Sequence, residues 1–262
     1  MEQLAFSNPS ERQQAIYSLL QEQGYLTVSE LALHFEVSEM TIRRDLKSLA
    51  SNGLIQREHG GAGYPSNTHQ VDDLFFNRLG EGEKEKITIG NAAAALIQPG
   101  ESIILDAGTT TLAVAKAIKP KELVVITNSV PISTILTGQA GISVLLTGGE
   151  VRESTYALVG PLARSSLRNF YADKLFLGAS GISISRGLST SNLLESEIKQ
   201  AMIQSAKEVI LVAHSHKFSE VCYHTFAGWD SIHTLITDEN IPASIYQELC
   251  QRGLRILIAP LS

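Results

Sequence analysis

The stretch Leu26–Gly61 reads LTVSELALHFEVSEMTIRRDLKSLASNGLIQREHGG. Within it, Val37–Leu54 has the marks of one capped amphipathic helix with two adjacent arginines. Ser38 is a good N-cap, because its hydroxyl can accept a bond from a free N–H of the first turn. Val37 and Ile42 occupy the two positions of a hydrophobic staple. Ile42, Leu46 and Leu49 follow on one face, and Asn52-Gly53 is a C-terminal stop. Upstream, Thr27 and Glu30 have the spacing of a capping box and start a second short helix, with Leu31, Ala32 and Phe35 on its apolar side. Earlier still, ERQQAIYSLLQEQG carries Ile16, Leu19 and Leu20 at helical spacing. Downstream, Ile55–His59, a Gly60-Gly61 turn and a return read as a short hairpin. Three short helices followed by a glycine-turn hairpin describe a winged helix-turn-helix.

Charge works against a simple nucleic-acid coat. The chain has 262 residues and a formal charge of −6. Up to Asn67 it holds five Lys and Arg (Arg12, Arg43, Arg44, Lys47, Arg57) against eight acids. Any affinity for DNA must come from local placement of charge and not from a bulk basic field. Hydrophobic residues make up 44%, ample for a core. No long apolar run predicts a membrane span, and the N-terminus lacks the pattern of a signal peptide. Cys222 and Cys250 lie far apart without C-x-x-C spacing. A cytoplasmic protein with free thiols and no membrane partner is the expectation.

After the head, the segment 65–85 is polar and holds two glycines. It reads as a linker, with Leu74, Phe75 and Phe76 docking part of it onto the body of the protein. From Lys86 the pattern changes. The apolar runs SIIL, LVVIT, ISVLLT, KLFLG, EVILVA, TLIT and RILIA alternate with helical segments. Such alternation predicts an α/β body with a mainly parallel sheet covered on both faces. The expected organisation is a winged helix-turn-helix over 1–64, a linker over 65–85 and a body over 86–262.

In an open α/β sheet, ligands bind beyond the carboxyl ends of the strands. Five loops there are small and polar: LDAGTTTLA, TNS, TGGEVR, GASGI and HSHKF. Together they predict a polar pocket. In DAGTTT, Gly108 allows close backbone approach, and Thr109, Thr110 and Thr111 sit where a helix starts, which suits a phosphate. A capped turn without any ligand uses the same residues. Lys217 lies just past a strand end. Lys199 follows Glu195 by four residues, a spacing equally typical of a surface ion pair. His214 and His216 form an H-x-H without a convincing third ligand, so no metal is expected. Asp106 has no partner that would make a catalytic pair, so no catalytic residue is assigned. Neither a G-x-x-x-x-G-K-[ST] loop nor a G-x-G-x-x-G is present, and no cofactor is expected.

These motifs taken together resemble the DeoR family of bacterial transcriptional regulators, over about Arg12 to Asp238. The head carries the resemblance over Leu26–Gly61. The body carries it in LDAGTTT, TNS, TGGEVR, ALVGP, ADKLFLGASGIS and the E-x-x-x-K of Glu195 and Lys199. The resemblance implies a repressor whose body binds a sugar phosphate or related metabolite and oligomerises. It implies a body fold similar to ribose-5-phosphate isomerase and CoA-transferase-like enzymes. The phosphate-loop role falls on Asp106, Gly108, Thr109, Thr110 and Thr111. Further effector contacts fall on Asn128, Gly148, Gly149, Arg152, Glu195, Lys199 and Lys217. Two departures touch the expected pocket. His214 stands where the family usually has an acidic residue, and Leu193-Leu194 replaces a more polar pair.

The leading reading is thus a regulator binding operator double-stranded DNA as a homodimer or homotetramer. Ser38, Thr41, Arg43, Arg44 and Lys47 would face phosphates and base edges, with Arg57 and His59 on the wing. The alternatives are a sugar-phosphate isomerase-like enzyme with an added head, and a head that contacts protein. An arginine bidentate to guanine contributes about 1–3 kcal/mol of discrimination. Arg44→Ala is therefore expected to abolish specific operator binding while the head stays folded. Unchanged affinity at matched salt, in a gel-shift titration, would remove this helix from the DNA interface.

Overall fold

The computed structural model describes residues 9–23, 25–51, 55–58, 60–63, 75–119 and 122–261. They fall into two compact units that divide between Val71 and Asp72.

The first unit contains α1 (Pro9–Gln23), β1 (Tyr25–Thr27), α2 (Val28–His34), α3 (Glu39–Ser51), β2 (Gln56–Glu58) and β3 (Gly61–Gly63). The capping box forms at Thr27: the Glu30 N–H donates to its hydroxyl at 3.2 Å, and the Thr27 N–H donates to the Glu30 carboxylate at 2.7 Å. The Thr27 N–H, and then the Thr27 hydroxyl that also donates to this carboxylate at 2.7 Å, hold the Glu30 carboxyl below its ordinary range. Between α2 and α3 the chain reverses through Glu36, at φ +52°. The Val37 N–H then donates to the Ala32 carbonyl at 3.1 Å. That bond closes α2, although the left-handed position is usually glycine. Ser38 accepts from the Thr41 N–H at 3.2 Å and starts α3. Gly60, at φ +88°, turns the wing. The hairpin gains a third strand, in the order β1-β3-β2. Ile16, Leu20, Leu31, Ile42 and Leu46 fill the core between these elements. Arg12 and Asp45 are buried beside them, Nε to Oδ2 at 2.6 Å, and Gln13 donates to the other Asp45 oxygen at 3.1 Å.

The second unit starts with α4 (Phe75–Gly80) and α5 (Glu83–Ala94). Of the segment expected as a linker, 75–85 holds α4, a turn and the start of α5, and 65–74 lie outside the described residues. Phe75 is only 2% exposed, and its N–H donates to the Ser154 carbonyl at 2.8 Å. Then come β4 (Ser102–Leu105), α6 (Thr109–Ala117), β5 (Leu123–Thr127), α7 (Val130–Leu136) and β6 (Ile142–Leu146). A hairpin of β7 (Glu150–Arg152) and β8 (Ala157–Val159) leads into α8 (Pro161–Leu167) and β9 (Ala172–Leu177). Next are β10 (Gly181–Ser183), β11 (Gly187–Thr190), α9 (Leu193–Gln204), β12 (Ala206–Val212) and β13 (His224–Ala227). β14 (Thr234–Asp238), α10 (Ala243–Gln251) and β15 (Arg255–Ala259) complete it.

Seven strands form one parallel sheet in the order β15-β14-β12-β9-β4-β5-β6. They are the seven apolar runs of the sequence. Alternate residues feed opposite faces: Leu175, Leu177, Val209, Leu211 and Leu235 pack on one side, Phe176, Ile210, Val212 and Ile236 on the other. A central strand buried on both faces has no polar side, which is why its run is continuous, whereas the edge strands β6 and β15 are apolar but largely exposed or half-buried. Two small antiparallel pieces, β7-β8 and β10-β11-β13, are additions that the apolar runs did not announce.

The buried Arg12–Asp45 pair yields a stability prediction. Asp45→Ala removes the carboxylate that the buried guanidinium faces, and the head should lose about 3–5 kcal/mol. Adding Arg12→Met should restore most of that loss. Amide exchange of α1 to α3 in the full chain measures both, and an Asp45→Ala effect below about 1 kcal/mol would contradict burial of the pair.

Candidate functional site

The strand order has a switch point. From β4 the chain proceeds one way through β5 and β6; on the other side lie β9, β12, β14 and β15. Crevices at such points, beyond the carboxyl ends, are the usual ligand sites of α/β sheets. A cleft opens there, with about 580 Å³ of empty space including its mouth. Ala107–Thr111 after β4, Gly178–Ser180 after β9, and Ala213, His214 and Lys217 after β12 line it. Glu195 and Lys199 of α9, Thr155 between β7 and β8, and Arg78, Glu81 and Lys86 complete the lining.

The DAGTTT loop begins α6. Thr109, Thr110 and Thr111 are buried, and the Thr111 hydroxyl donates to the Gly108 carbonyl at 3.0 Å. The Leu112 N–H closes the first turn on the same carbonyl at 3.0 Å. The N–H groups before it have no acceptor within the helix and carry its positive end, the arrangement that suits an anion.

Behind the loop stands a buried ionic network. Lys199 donates to the Asp106 carboxylate and, at 3.0 Å, to the Gly178 carbonyl. Its ammonium also lies 5.5 Å from the centre of the Phe226 ring. The Gly178 N–H donates to Asp106 at 2.9 Å. Burial pushes the Asp106 carboxyl above its ordinary range, against the pull of Lys199 and Gly178. Glu195 accepts from the hydroxyls of Thr155 at 2.7 Å and Thr190 at 3.0 Å, and pairs with Arg152 at 3.2 Å. Glu195 and Lys199 are thus both buried and have different partners, so the surface-pair interpretation of their spacing is corrected. The reason is that α9 presents this face to the sheet, not to solvent.

Other expected effector residues take different positions. Asn128 is buried as a strut: it accepts from the Ala107 N–H at 2.9 Å and donates to the Leu158 carbonyl at 3.3 Å. It sets the start of the DAGTTT loop without lining the cleft. Gly148 and Gly149 form the turn from β6 to β7 and do not line the cleft either. At Gly149, φ is +113° and a Cβ would meet the Val159 carbonyl at 2.5 Å, so its glycine is a packing requirement. Arg152 does not line the cleft but pairs with Glu195, which does. Lys217 lines the cleft and pairs with Glu220 at 2.9 Å.

Residues that sequence reasoning did not assign are also present. Lys86 is buried and donates to the Arg78 carbonyl. Burial, with Arg78 and Lys217 nearby, lowers its ammonium to about 8. His214 is lowered to about 4, first by burial and then by Lys217 and Lys86. A lysine inside an apolar helical face, as in EKEKITIGNAAA, was the available signal for Lys86. Among the described residues, no group of three His, Cys, Asp or Glu could hold a metal ion.

On the head, Arg43, Arg44 and Lys47 are exposed on α3, Ser38 is exposed at its start and Thr41 is half-buried. Arg43 pairs with Glu39 at 3.3 Å, and Glu39 also accepts from the Ser29 hydroxyl at 2.7 Å. Arg57 belongs to β2, but its side chain and the whole of His59 lie outside the described residues.

Comparison with known proteins agrees with this two-part build. Residues 12–68 match the DeoR-like helix-turn-helix domain and residues 81–239 match the DeoR C terminal sensor domain. The chain is 34% identical over 249 residues to the HTH-type transcriptional repressor GlcR of Bacillus subtilis, covering 95% of each. It is 33% identical over 247 residues to the lactose phosphotransferase system repressor of Lactococcus lactis, covering 93% of this chain and 96% of that one. Among solved structures, a ribose 5-phosphate isomerase of Methanocaldococcus jannaschii matches 53% of this chain and 55% of that one, with 14% identity and a TM-score of 0.38. That likeness is too distant to argue from. The matches describe a DNA-binding regulator and not an enzyme. The chain belongs to the DeoR family of transcriptional regulators, with a helix-turn-helix head and a sensor body.

Proposed function

We propose that this regulator represses a carbohydrate operon and is released from operator DNA by a phosphorylated sugar or polyol. The start of α6 carries the argument: its positive end opens into a cleft that Lys86 and Lys217 also line. A phosphate placed there meets backbone N–H groups and ammoniums together. Glu195 and Thr155, also in the lining, are suited to sugar hydroxyls. Ser38, Thr41, Arg43, Arg44 and Lys47 form the DNA-reading face, with Arg57 and His59 on the wing. One winged helix reads a short site, so paired copies are expected on a two-fold operator. The name of the lactose phosphotransferase system repressor supports the carbohydrate assignment. Release requires the effector to bind the DNA-free conformation more tightly than the DNA-bound one.

A thermal-shift panel of sugar phosphates, inositol phosphates and free sugars tests the effector class. Phosphorylated compounds should raise the melting temperature by mass action. Stabilisation by a neutral sugar alone would refute the phosphate reading.

The pH dependence has a definite sign. A phosphate ester completes its second ionisation near pH 6. The Lys86 ammonium loses its proton as pH rises through about 8. Affinity for a hit compound should therefore be greatest near neutrality and fall about tenfold by one unit above that pKa. Lys86→Met should flatten that limb. A wild-type profile that stays level across it would exclude Lys86 from the site.

A further inference from the structure

The helix α4 is the first described element of the body, so the chain leaving the head enters the body through it. It is six residues long and fastened at both ends. At its start the Phe75 N–H is bonded to the Ser154 carbonyl at 2.8 Å, and the Phe75 ring packs edge-on against Tyr156 at 5.9 Å. Near its end the Arg78 carbonyl accepts from the buried Lys86 ammonium.

The Arg78 side chain lines the cleft. Its Nε and Nη2 are shut from solvent and have no hydrogen-bond partner among the described residues. Buried guanidinium nitrogens without acceptors are costly, and native folds rarely keep them without a use. His214 repeats the observation. It is 6% exposed, lines the same cleft, and its Nδ1 has no partner among the described residues. Positive charges crowd this corner: Arg78 and Lys217 both oppose the charge on Lys86, and Lys86, Lys217 and His216 oppose a charge on His214. Glu81 and Glu85 act on Lys86 in the other sense, Asp238 acts so on His214, and Glu220 is taken by Lys217. Among the described residues none of these carboxylates accepts from Arg78 Nε or Nη2, and a guanidinium can offer two parallel N–H groups to two oxygens of one phosphate.

We propose that Arg78 is a ligand of the effector's phosphate and that, through it, α4 reports occupancy of the cleft to the chain leading to the head. The inference rests on the phosphate reading of the cleft. A phosphate held by both the α6 start and Arg78 links α4 directly to the switch point. The link works as a population shift: a conformation with Arg78 on the anion is favoured over those in which α4 stands away. No contact between the two units is required, because the connection runs along the chain itself.

Amide hydrogen exchange on the full chain, with inorganic phosphate as the probe, tests it. Phosphate should protect the amides of Thr109–Leu112 and also those of Phe75–Gly80. In Arg78→Gln, phosphate should bind about tenfold more weakly, and at saturation only Thr109–Leu112 should regain protection. Arg186→Gln, an exposed arginine outside the cleft, should behave as the wild type. Protection of Thr109–Leu112 alone in the wild type would overturn the role of Arg78 and leave the phosphate reading standing. Protection of neither segment would overturn the phosphate reading itself. The wild-type experiment decides even if the variant fails to fold.

Discussion

A buried ammonium must find a counter-ion or give up its charge. Lys199 finds one in Asp106, and both also bond to the backbone of Gly178. Asp106 follows β4, Gly178 follows β9, and Lys199 comes from α9. One ion pair therefore clamps three elements at the point where the sheet changes direction. The residues of the cleft are built outward from it. The DAGTTT helix starts three positions after Asp106. Glu195 stands one helical turn before Lys199 and gathers Thr155, Thr190 and Arg152. Removing either charge would leave the other stranded in a dry interior, so the polar floor of the cleft stands or falls as a unit.

The head solves a different electrostatic problem. It is net acidic, yet its exposed third helix carries Arg43, Arg44 and Lys47. Arg12 contributes nothing outward, because Asp45 neutralises it inside the core. Glu39 partly offsets Arg43. The outward charge of α3 therefore rests on a few side chains, in keeping with attraction that is local and salt-sensitive.

Much of this was legible because the governing signals are local or periodic. The capping box at Thr27, the cap at Ser38 and the seven apolar runs each depend on a few neighbouring residues. What was not legible depends on distant partners. The docking of Phe75 was expected, but the helix it starts and the burial of Lys86 were not, because Ser154, Tyr156 and Arg78, which hold them, give no local signal. The spacing of Glu195 and Lys199 fits both a surface pair and two separate buried pairs, and only the packing of α9 chooses. Asn128 and Gly149 sat in promising loops but serve geometry, one as a strut and one as a turn. Glu36 takes a left-handed position without being glycine, so no residue type marked the turn between α2 and α3.

The two units also differ in how much chain each one needs. The described strands of the head all lie within the first 63 residues: β2 and β3 pair across a short turn, and β1 pairs with β3 across α2 and α3. The cleft needs Arg78 and Lys217 together, and its central strands, β4 and β9, pair residues as distant as Ile103 and Lys174. Synthesis from the N-terminus thus finishes the reading head long before the sensor. A chain cut short before Lys199 would keep the whole head and have no means of answering a metabolite. For such a regulator, premature termination would uncouple reading from sensing instead of simply deleting the protein.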